Sequence, residues 1–358
     1  MIPLSLAHLA HVCRGRLEGV TPTEAEALII DGPVVTDSRE CGPGGLYVAR
    51  VGEHADGHDY IPQALAAGAV AAMTTRPVDG VACIVVDDIQ DGFAALARGV
   101  LDAAPEVTVI GITGSSGKTS TKDLLGQVLA ASAPTVAPQG SYNSEVGVPL
   151  TVTRITPQTR FLVAEMGARG IGHIAYLTQI APPLVAVVLN VGAAHLGEFG
   201  SREAIAVAKA ELVRALGPDG VAVLNLDDPA VRAMADQTRG RVVMVSAAGD
   251  VAADVRAEDV QLDAASRPTF TIASEGGRWR VSLPLHGAHH IGNALAVFAA
   301  ARACGLAAET IVEALHRSRS VSRWRMEVTD RADGVTIVND AYNANPDSMR
   351  AALDALAV

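Results

Sequence analysis

The stretch from Val107 to Ser120, reading VTVIGITGSSGKTS, constrains the fold of this 358-residue chain more than any other. An apolar strand runs through a Gly/Ser turn into a helical stretch around Leu124 to Ala131. In such a turn the glycines let successive backbone N–H groups converge, the helix N-terminus adds its positive dipole, and a lysine reaches the far end of a phosphate chain. The spacing departs from GxxxxGK[ST], because Ile112 stands at the first glycine position and the core is TGxxGKT. The order strand, glycine, GKT, helix separates it from a glycine-rich turn with a chance lysine. It predicts a phosphate cradle of Thr113, Gly114, Ser115, Ser116, Gly117, Lys118 and Thr119, with the Thr119 hydroxyl placed for Mg²⁺.

The surrounding pattern supplies a sheet for that loop. Apolar runs at Val107 to Ile112, Phe161 to Met166, Leu184 to Val191, Val221 to Leu226 and Val242 to Val245 alternate with Ala-rich helical stretches. Such runs suit strands of a mostly parallel sheet buried on both faces. Residues 1–105 carry shorter runs, Leu46 to Ala49, Ala69 to Met73 and Ala82 to Val86, punctuated by Gly, Pro and Asp, and read as a small α/β domain. Residues 254–284 alternate, as at Thr269 to Ala273 and Trp279 to Leu283, and predict an antiparallel ribbon on the central domain. After Ser320 a third unit opens, with a strand at Val335 to Asn339 and a helix after Pro346. Its 358 − 320 = 38 residues are fewer than the roughly 100–150 of an ordinary domain, so it reads as an incomplete beginning. The expected class is α/β: a small domain over 1–105, a central P-loop-type ATPase domain over 106–320, and the start of a C-terminal Rossmann-like domain over 321–358.

Charge and cysteine content narrow the function. Lys plus Arg is 28 against 39 acidic residues, a net charge of −11, which disfavours nucleic acid or an anionic membrane as partner. No run approaches the roughly 20 apolar residues of a membrane span, and the first residues lack the basic start of a signal peptide. Cys13, Cys41, Cys83 and Cys304 show no metal-ligand spacing and fit reduced thiols in a cytoplasm. Only three lysines occur, Lys118, Lys122 and Lys209, so each one warrants individual attention.

Further candidates sit at strand ends. Glu165 closes the Phe161 run, at the sheet edge where ligands collect, and offers a carboxylate to a phosphate-bound Mg²⁺. His195 follows the Leu184 run in a Gly/Ala loop, either as a surface residue or as a ligand at that same edge. The helix from Ser201 to Leu216, capped by Ser201 with Glu203 in its first turn, places Lys209 on the stripe of Ile205, Leu212, Val213 and Leu216. Snorkelling of its head to the surface is the favoured reading from the stripe alone. Desolvation would instead leave a neutral amine able to capture CO₂ as a carbamate. His286, His289 and His290 lack carboxylate or Cys partners, so that segment reads as a loop leading into a helix, with Asn293 free to meet a base edge. Asp340 and Tyr342 lie in a polar βα loop before Pro346.

Together these segments resemble the Mur ligases, ATP-dependent amino-acid-adding enzymes of peptidoglycan precursor synthesis. The resemblance spans the chain: Asp37-Ser-Arg39, Pro43 to Ala49, Asp56-Gly-His-Asp59, TGSSGKT, Tyr142-Asn143 to Pro149, Glu165 to Gly170, Asn190 to Gly200, and Tyr342-Asn-Ala-Asn-Pro346. The last of these is similar to the branch that adds D-alanyl-D-alanine to UDP-N-acetylmuramoyl-tripeptide, and unlike the diaminopimelate- or lysine-adding sibling. The resemblance implies that Thr113 to Thr119 hold ATP phosphates, that Thr119 and Glu165 bind one Mg²⁺ and His195 a second, and that Lys209 is carbamylated and acidic toward metal. Lys118, Lys209 and His195 would be the catalytic set. Asn293 would meet adenine, while Arg325 and Asp340 would reach the nucleotide from the third unit. Ser38, Arg39, Gly57, His58 and Asp59 would hold the uridine nucleotide, and Asn143 the muramoyl-peptide side. Ser144 stands where the family pattern has Asn. The implied chemistry is an acyl phosphate made from ATP and opened by an amine; a cytoplasmic setting is expected from the cysteines, and a monomer is the expected state. The alternatives are a sibling ligase with another acceptor, a P-loop kinase or GTPase that transfers phosphate without forming an amide, and a catalytically incomplete nucleotide-binding fragment.

Overall fold

The computed structural model describes residues 1–192 and 196–357. The chain forms two compact units: Met1–Val107 with Glu145–Thr159 and Gln179–Ala181, and Thr108–Ser144 with Arg160–Thr178 and Pro182–Val358.

The first unit is built on a five-stranded sheet in the order Arg16–Glu18, Cys83–Val85, Ala69–Thr74, Gly45–Val48, Val34–Val35. All its pairings are parallel except that of the Arg16–Glu18 edge. Short runs of small apolar residues suffice because every strand is brief. The helix Ile89–Asp102 buries Phe93, Leu96 and Val100, and Asp88 caps it by accepting the N–H groups of Gln90 and Asp91.

The second unit holds a nine-stranded sheet in the order Gly277–Ser282, Pro268–Ser274, Val255–Leu262, Arg241–Ser246, Val221–Asn225, Val185–Val188, Thr108–Thr113, Phe161–Glu165, Thr135–Val136. Pairing is parallel from Thr135–Val136 through to Val255–Leu262, and antiparallel beyond it. The expected ribbon thus extends the main sheet, because Val255 pairs with Val245 on one side while Thr271 and Ala273 pair back on the other. Alternation along Thr108–Thr113 separates two faces. Ile110 and Ile112 join Leu124, Leu125 and Val128 in the core beneath the helix Lys118–Ala130, which packs against His289–Ala303. Gly111 lies on the other face, where a Cβ would come within 2.8 Å of Leu212 Cδ1, so the helix Arg202–Arg214 can sit close. The register aligns Glu165 with Ile112 and Val188 with Thr113, which brings three strand ends to one edge.

Beyond the sheet, Glu327–Asp330 pairs antiparallel with Thr336–Asn339. Only the second of these strands was legible as a run, since EVTD is mostly polar and pairs in an exposed ribbon. The helix Pro346–Leu356 starts from an Asn345 cap. No described helix is long and apolar enough to cross a membrane.

Candidate functional site

The phosphate-type loop is held in shape by the strand end next to it. Asn190 Oδ1 accepts from Ser116 N–H at 2.9 Å, its Nδ2 donates to Ser116 O at 3.2 Å, and its carbonyl accepts from Ser115 N–H at 3.1 Å. Gly192 N–H donates to Ser115 Oγ at 2.9 Å. Asp228, which caps Pro229–Arg232, also accepts Val191 N–H at 2.7 Å and so anchors that strand end. Gly117 takes φ +80°, and a Cβ there would stand 2.9 Å from Asn293 Oδ1, so both backbone conformation and space favour glycine. The sequence places Asn190 at a strand end but carries no signal for its bracing role, because its partners lie 74 residues away.

Around the loop stand the groups that chemistry needs. Lys118 Nζ donates back to Gly114 O at 2.8 Å. Burial drives its pKa down, the Glu165 carboxylate opposes this, and the Arg325 guanidinium adds to it. Glu165 is buried at its strand end; its Oε1 accepts from Asn143 Nδ2 at 2.7 Å and from Ser141 Oγ at 2.9 Å. Glu165 Oε2 and Thr113 Oγ1 are buried without a hydrogen-bond partner among the described residues. Ser141 is a positioning residue that motif reading passes over. Arg325 donates to Thr119 Oγ1 at 3.1 Å and stacks its guanidinium 4.1 Å from the Tyr342 ring centroid.

Lys209 does not snorkel. Its residue is 6% exposed in a helix that also buries Ile205, Leu212 and Val213. Desolvation lowers its pKa to about 7, with the Lys118 charge adding to the effect. Ser201 caps that helix by accepting Ala204 N–H at 3.1 Å. His195 lies outside the described residues. Asn293 is buried in the helix His289–Ala303, with Nδ2 unpartnered among the described residues. Asp340 accepts Met326 N–H at 3.1 Å, and its charge acts on His289, whose pKa burial lowers.

In the first unit, Ser38 and Arg39 lie in one short turn and Gly57, His58 and Asp59 in another, and the helix Ile61–Ala66 packs on both. Ser38 Oγ donates to Gln63 Oε1 at 2.8 Å. Arg39 and Asp59 are exposed, and Arg39 pairs with Asp37 at 2.6 Å. His58 is buried; Nδ1 meets Asp56 Oδ1 at 2.6 Å and Nε2 accepts Thr75 N–H at 3.3 Å, which puts the ring proton on Nδ1. Hydrogen bonds from Arg76 and His58 hold the Asp56 carboxyl well below the usual range. Asn143 belongs to the second unit, where its amide serves Glu165.

A bare carboxylate oxygen and a threonine hydroxyl beside a glycine loop are hard oxygen donors, which suit Mg²⁺ on a phosphate chain. The unpartnered Asn293 amide and the loop's N–H groups suit the rest of a nucleotide. Such a cradle at the carboxyl edge of a parallel sheet, with a buried lysine nearby, defines a nucleotide-dependent α/β enzyme.

The chain belongs to the Mur ligase family. The Mur ligase middle domain profile matches residues 112–301, the Mur ligase family catalytic domain profile 33–100, and the glutamate ligase domain profile 324–358. A UDP-N-acetylmuramoyl-tripeptide–D-alanyl-D-alanine ligase of Mycobacterium bovis is 49% identical over 380 residues, covering 100% of this chain and 74% of the relative. The Escherichia coli protein of the same name is 34% identical, covering 100% and 77%. Among solved structures, MurF from Acinetobacter baumannii superposes with a TM-score of 0.89 at 32% identity, covering 99% of this chain and 76% of that one. MurF from Thermotoga maritima in complex with ADP gives 0.79 at 32% identity, covering 92% and 75%.

Proposed function

We propose that this protein is an ATP-dependent ligase that joins D-alanyl-D-alanine to UDP-N-acetylmuramoyl-tripeptide in peptidoglycan precursor synthesis, working as a cytoplasmic monomer. The observation that carries the reading is the convergence of Lys118, Glu165 and Lys209 on a TGxxGKT loop, in a chain whose whole length aligns with 74% of a ligase of that name. Residues 113–119 hold the ATP phosphates, and Asn293 turns its free amide toward the base. Thr119, Glu165, a carbamylated Lys209 and His195 would hold Mg²⁺, whose charge would offset that of the phosphates. Ser38, Arg39, Gly57, His58 and Asp59 form the uridine-nucleotide surface of the first unit, while Asn143 serves the peptide side. Arg325 and Asp340 belong to the nucleotide end.

The reaction has two displacements. A terminal carboxylate oxygen of the tripeptide bonds to the γ-phosphorus as the bond to the β-phosphate oxygen breaks, and ADP leaves with that electron pair. The amine of D-alanyl-D-alanine then attacks the acyl carbon; the carbon–oxygen bond breaks, phosphate leaves, and the amine loses a proton to solvent. Lys118 neutralises charge at the transferring group, and the loop N–H groups orient it. Acyl phosphates hydrolyse in water, so holding the amine close decides the yield.

The test is phosphate release from Mg·ATP by this chain with the two acceptor substrates added singly and together. Release that requires both supports the ligase reading. Release without amide formation would place the chain with phosphoryl-transfer enzymes instead.

A further inference from the structure

The junction into the C-terminal segment is clasped to the element that holds Glu165. Ser322, 6% exposed, donates its N–H to Asp123 Oδ2 at 3.0 Å, and its Oγ accepts Gly140 N–H at 3.0 Å. Asp123 Oδ1 pairs with Lys122 Nζ at 2.5 Å, and the 1%-exposed Lys122 also donates to Pro138 O. A ring therefore closes from the helix Lys118–Ala130 through residue 322 to two points of the loop that begins at Pro138. A second clasp lies beside it, where Gln127 Oε1 accepts Arg319 N–H at 3.0 Å and its Nε2 donates to Arg319 O at 3.0 Å.

The residue after Gly140 is Ser141. Its hydroxyl and the Asn143 amide both end on Glu165 Oε1, and Asn143 Nδ2 also donates to Ser141 Oγ at 2.8 Å. Two donors on one oxygen fix the carboxylate plane and leave Oε2 bare. A buried ammonium is an expensive anchor unless paired, and among the described residues the partners of Lys122 are Asp123 and Pro138, not the reactive groups of the site. Its paired atoms all lie in the ring.

We propose that Ser322 and Asp123, anchored by Lys122, are positioning residues for Glu165: their clasp sets the Pro138–Asn143 loop against the carboxylate and so aims Oε2 at the cation of a bound nucleotide. The proposal rests on the reading of Glu165 as a Mg²⁺ ligand. Without the Ser322 hydroxyl, Gly140 N–H loses its acceptor, the loop shifts, and both donors to Oε1 move with it.

The experiment is equilibrium binding of ADP to the chain at varied MgCl₂, read as the Mg²⁺ concentration that gives half of the metal-dependent tightening. Losing a direct outer-shell partner changes metal affinity by about 10–100-fold. Ser322→Ala acts one link further out, so a rise of about 3–10-fold is expected, with metal-free ADP affinity within about twofold of the parent. In a Glu165→Gln background, which itself weakens the Mg²⁺ dependence, Ser322→Ala should add nothing. Ser322→Thr keeps the hydroxyl and should restore the parent midpoint. If Ser322→Ala proves poorly folded by thermal melting, Ser322→Cys, which keeps the volume and offers Gly140 N–H only a weak sulfur acceptor, carries the same expectation. A moved midpoint in Glu165→Gln with an unmoved one in Ser322→Ala overturns the clasp alone, as does an equal shift in both backgrounds. An unmoved midpoint in Glu165→Gln overturns the Glu165 reading, and the clasp with it.

Discussion

Lys209 is the group whose chemistry the fold changes most. An ordinary lysine ionises near 10.5, and this one near 7 because burial strips its ammonium of water and Lys118 repels it. At 1.36 kcal/mol per tenfold change in proton affinity, the difference is about 5 kcal/mol between charged and neutral forms. The neutral fraction is then roughly one half at pH 7, against about 0.03% for an ordinary lysine, an enrichment of about 1,600-fold. Linkage gives the direction of the stability effect. The unfolded chain keeps this proton up to about pH 10.5 and the folded chain releases it near 7, so folded stability rises with pH between those values. Below pH 7 both states are charged and the burial penalty is felt in full.

The neutral amine should add CO₂, forming a nitrogen–carbon bond and losing a proton to give a carbamate that lies within reach of the Lys118 charge. Carbon-13 NMR with labelled bicarbonate measures this directly, and with three lysines in the chain the assignment is simple. The Met1 amine, whose pKa burial also lowers, is the competing site. We expect a carbamate signal that disappears in Lys209→Met and, at fixed dissolved CO₂, falls from pH 7 to pH 6 by more than the roughly fivefold drop in neutral amine from about 50% to about 10%, because the addition also releases a proton. Lys118→Met removes the neighbouring charge and should move the midpoint upward. A signal that survives Lys209→Met, or one whose midpoint lies near 10, would refute the reasoning.

Three other outcomes follow from the geometry. Lys118→Ala should remove ATP turnover by at least about 1,000-fold in steady-state phosphate release while leaving the circular dichroism spectrum unchanged; full turnover in a folded variant would remove the phosphate-loop assignment. Gly57→Ala would put a Cβ 2.4 Å from Arg50 O and 2.7 Å from Arg50 N, both backbone, so the His58 turn must move. A loss of about 2 kcal/mol in urea unfolding, with weaker UDP-muramoyl-peptide binding, is expected. Phe270→Ala empties a site with 0% exposure in the main core and should cost about 3–5 kcal/mol by the same assay, with nucleotide affinity changing only through stability.

Legibility in the sequence tracked how far apart the interacting residues lie. The phosphate loop was readable because its glycines, lysine and threonine fall within seven consecutive residues, and its geometry is decided by local backbone freedom. The parallel sheet was readable for a similar reason, since burial on both faces makes each strand continuously apolar. Lys209 was half legible: the helical stripe put it on the apolar face, but whether its head escapes depends on what packs over it. The answer is a tertiary fact, set by the strands beneath and the Lys118 charge. Glu165 was legible as a strand-end carboxylate, yet the two donors that orient it come from residues 22 and 24 positions earlier: Asn143 was read from the sequence only for the peptide side, and Ser141 was not read at all. Arg325 meets Thr119 across 206 residues, and Ser322 meets Asp123 across 199. These contacts tie the Glu165 strand end or the helix Lys118–Ala130 to distant segments through ordinary polar residues, Ser, Asn and Arg. Such residues score as loop or surface in any local reading and become specific only when the sheet brings a buried acceptor within 3 Å. Motif chemistry thus identifies the reacting groups, while the groups that hold them in position are found only in the fold.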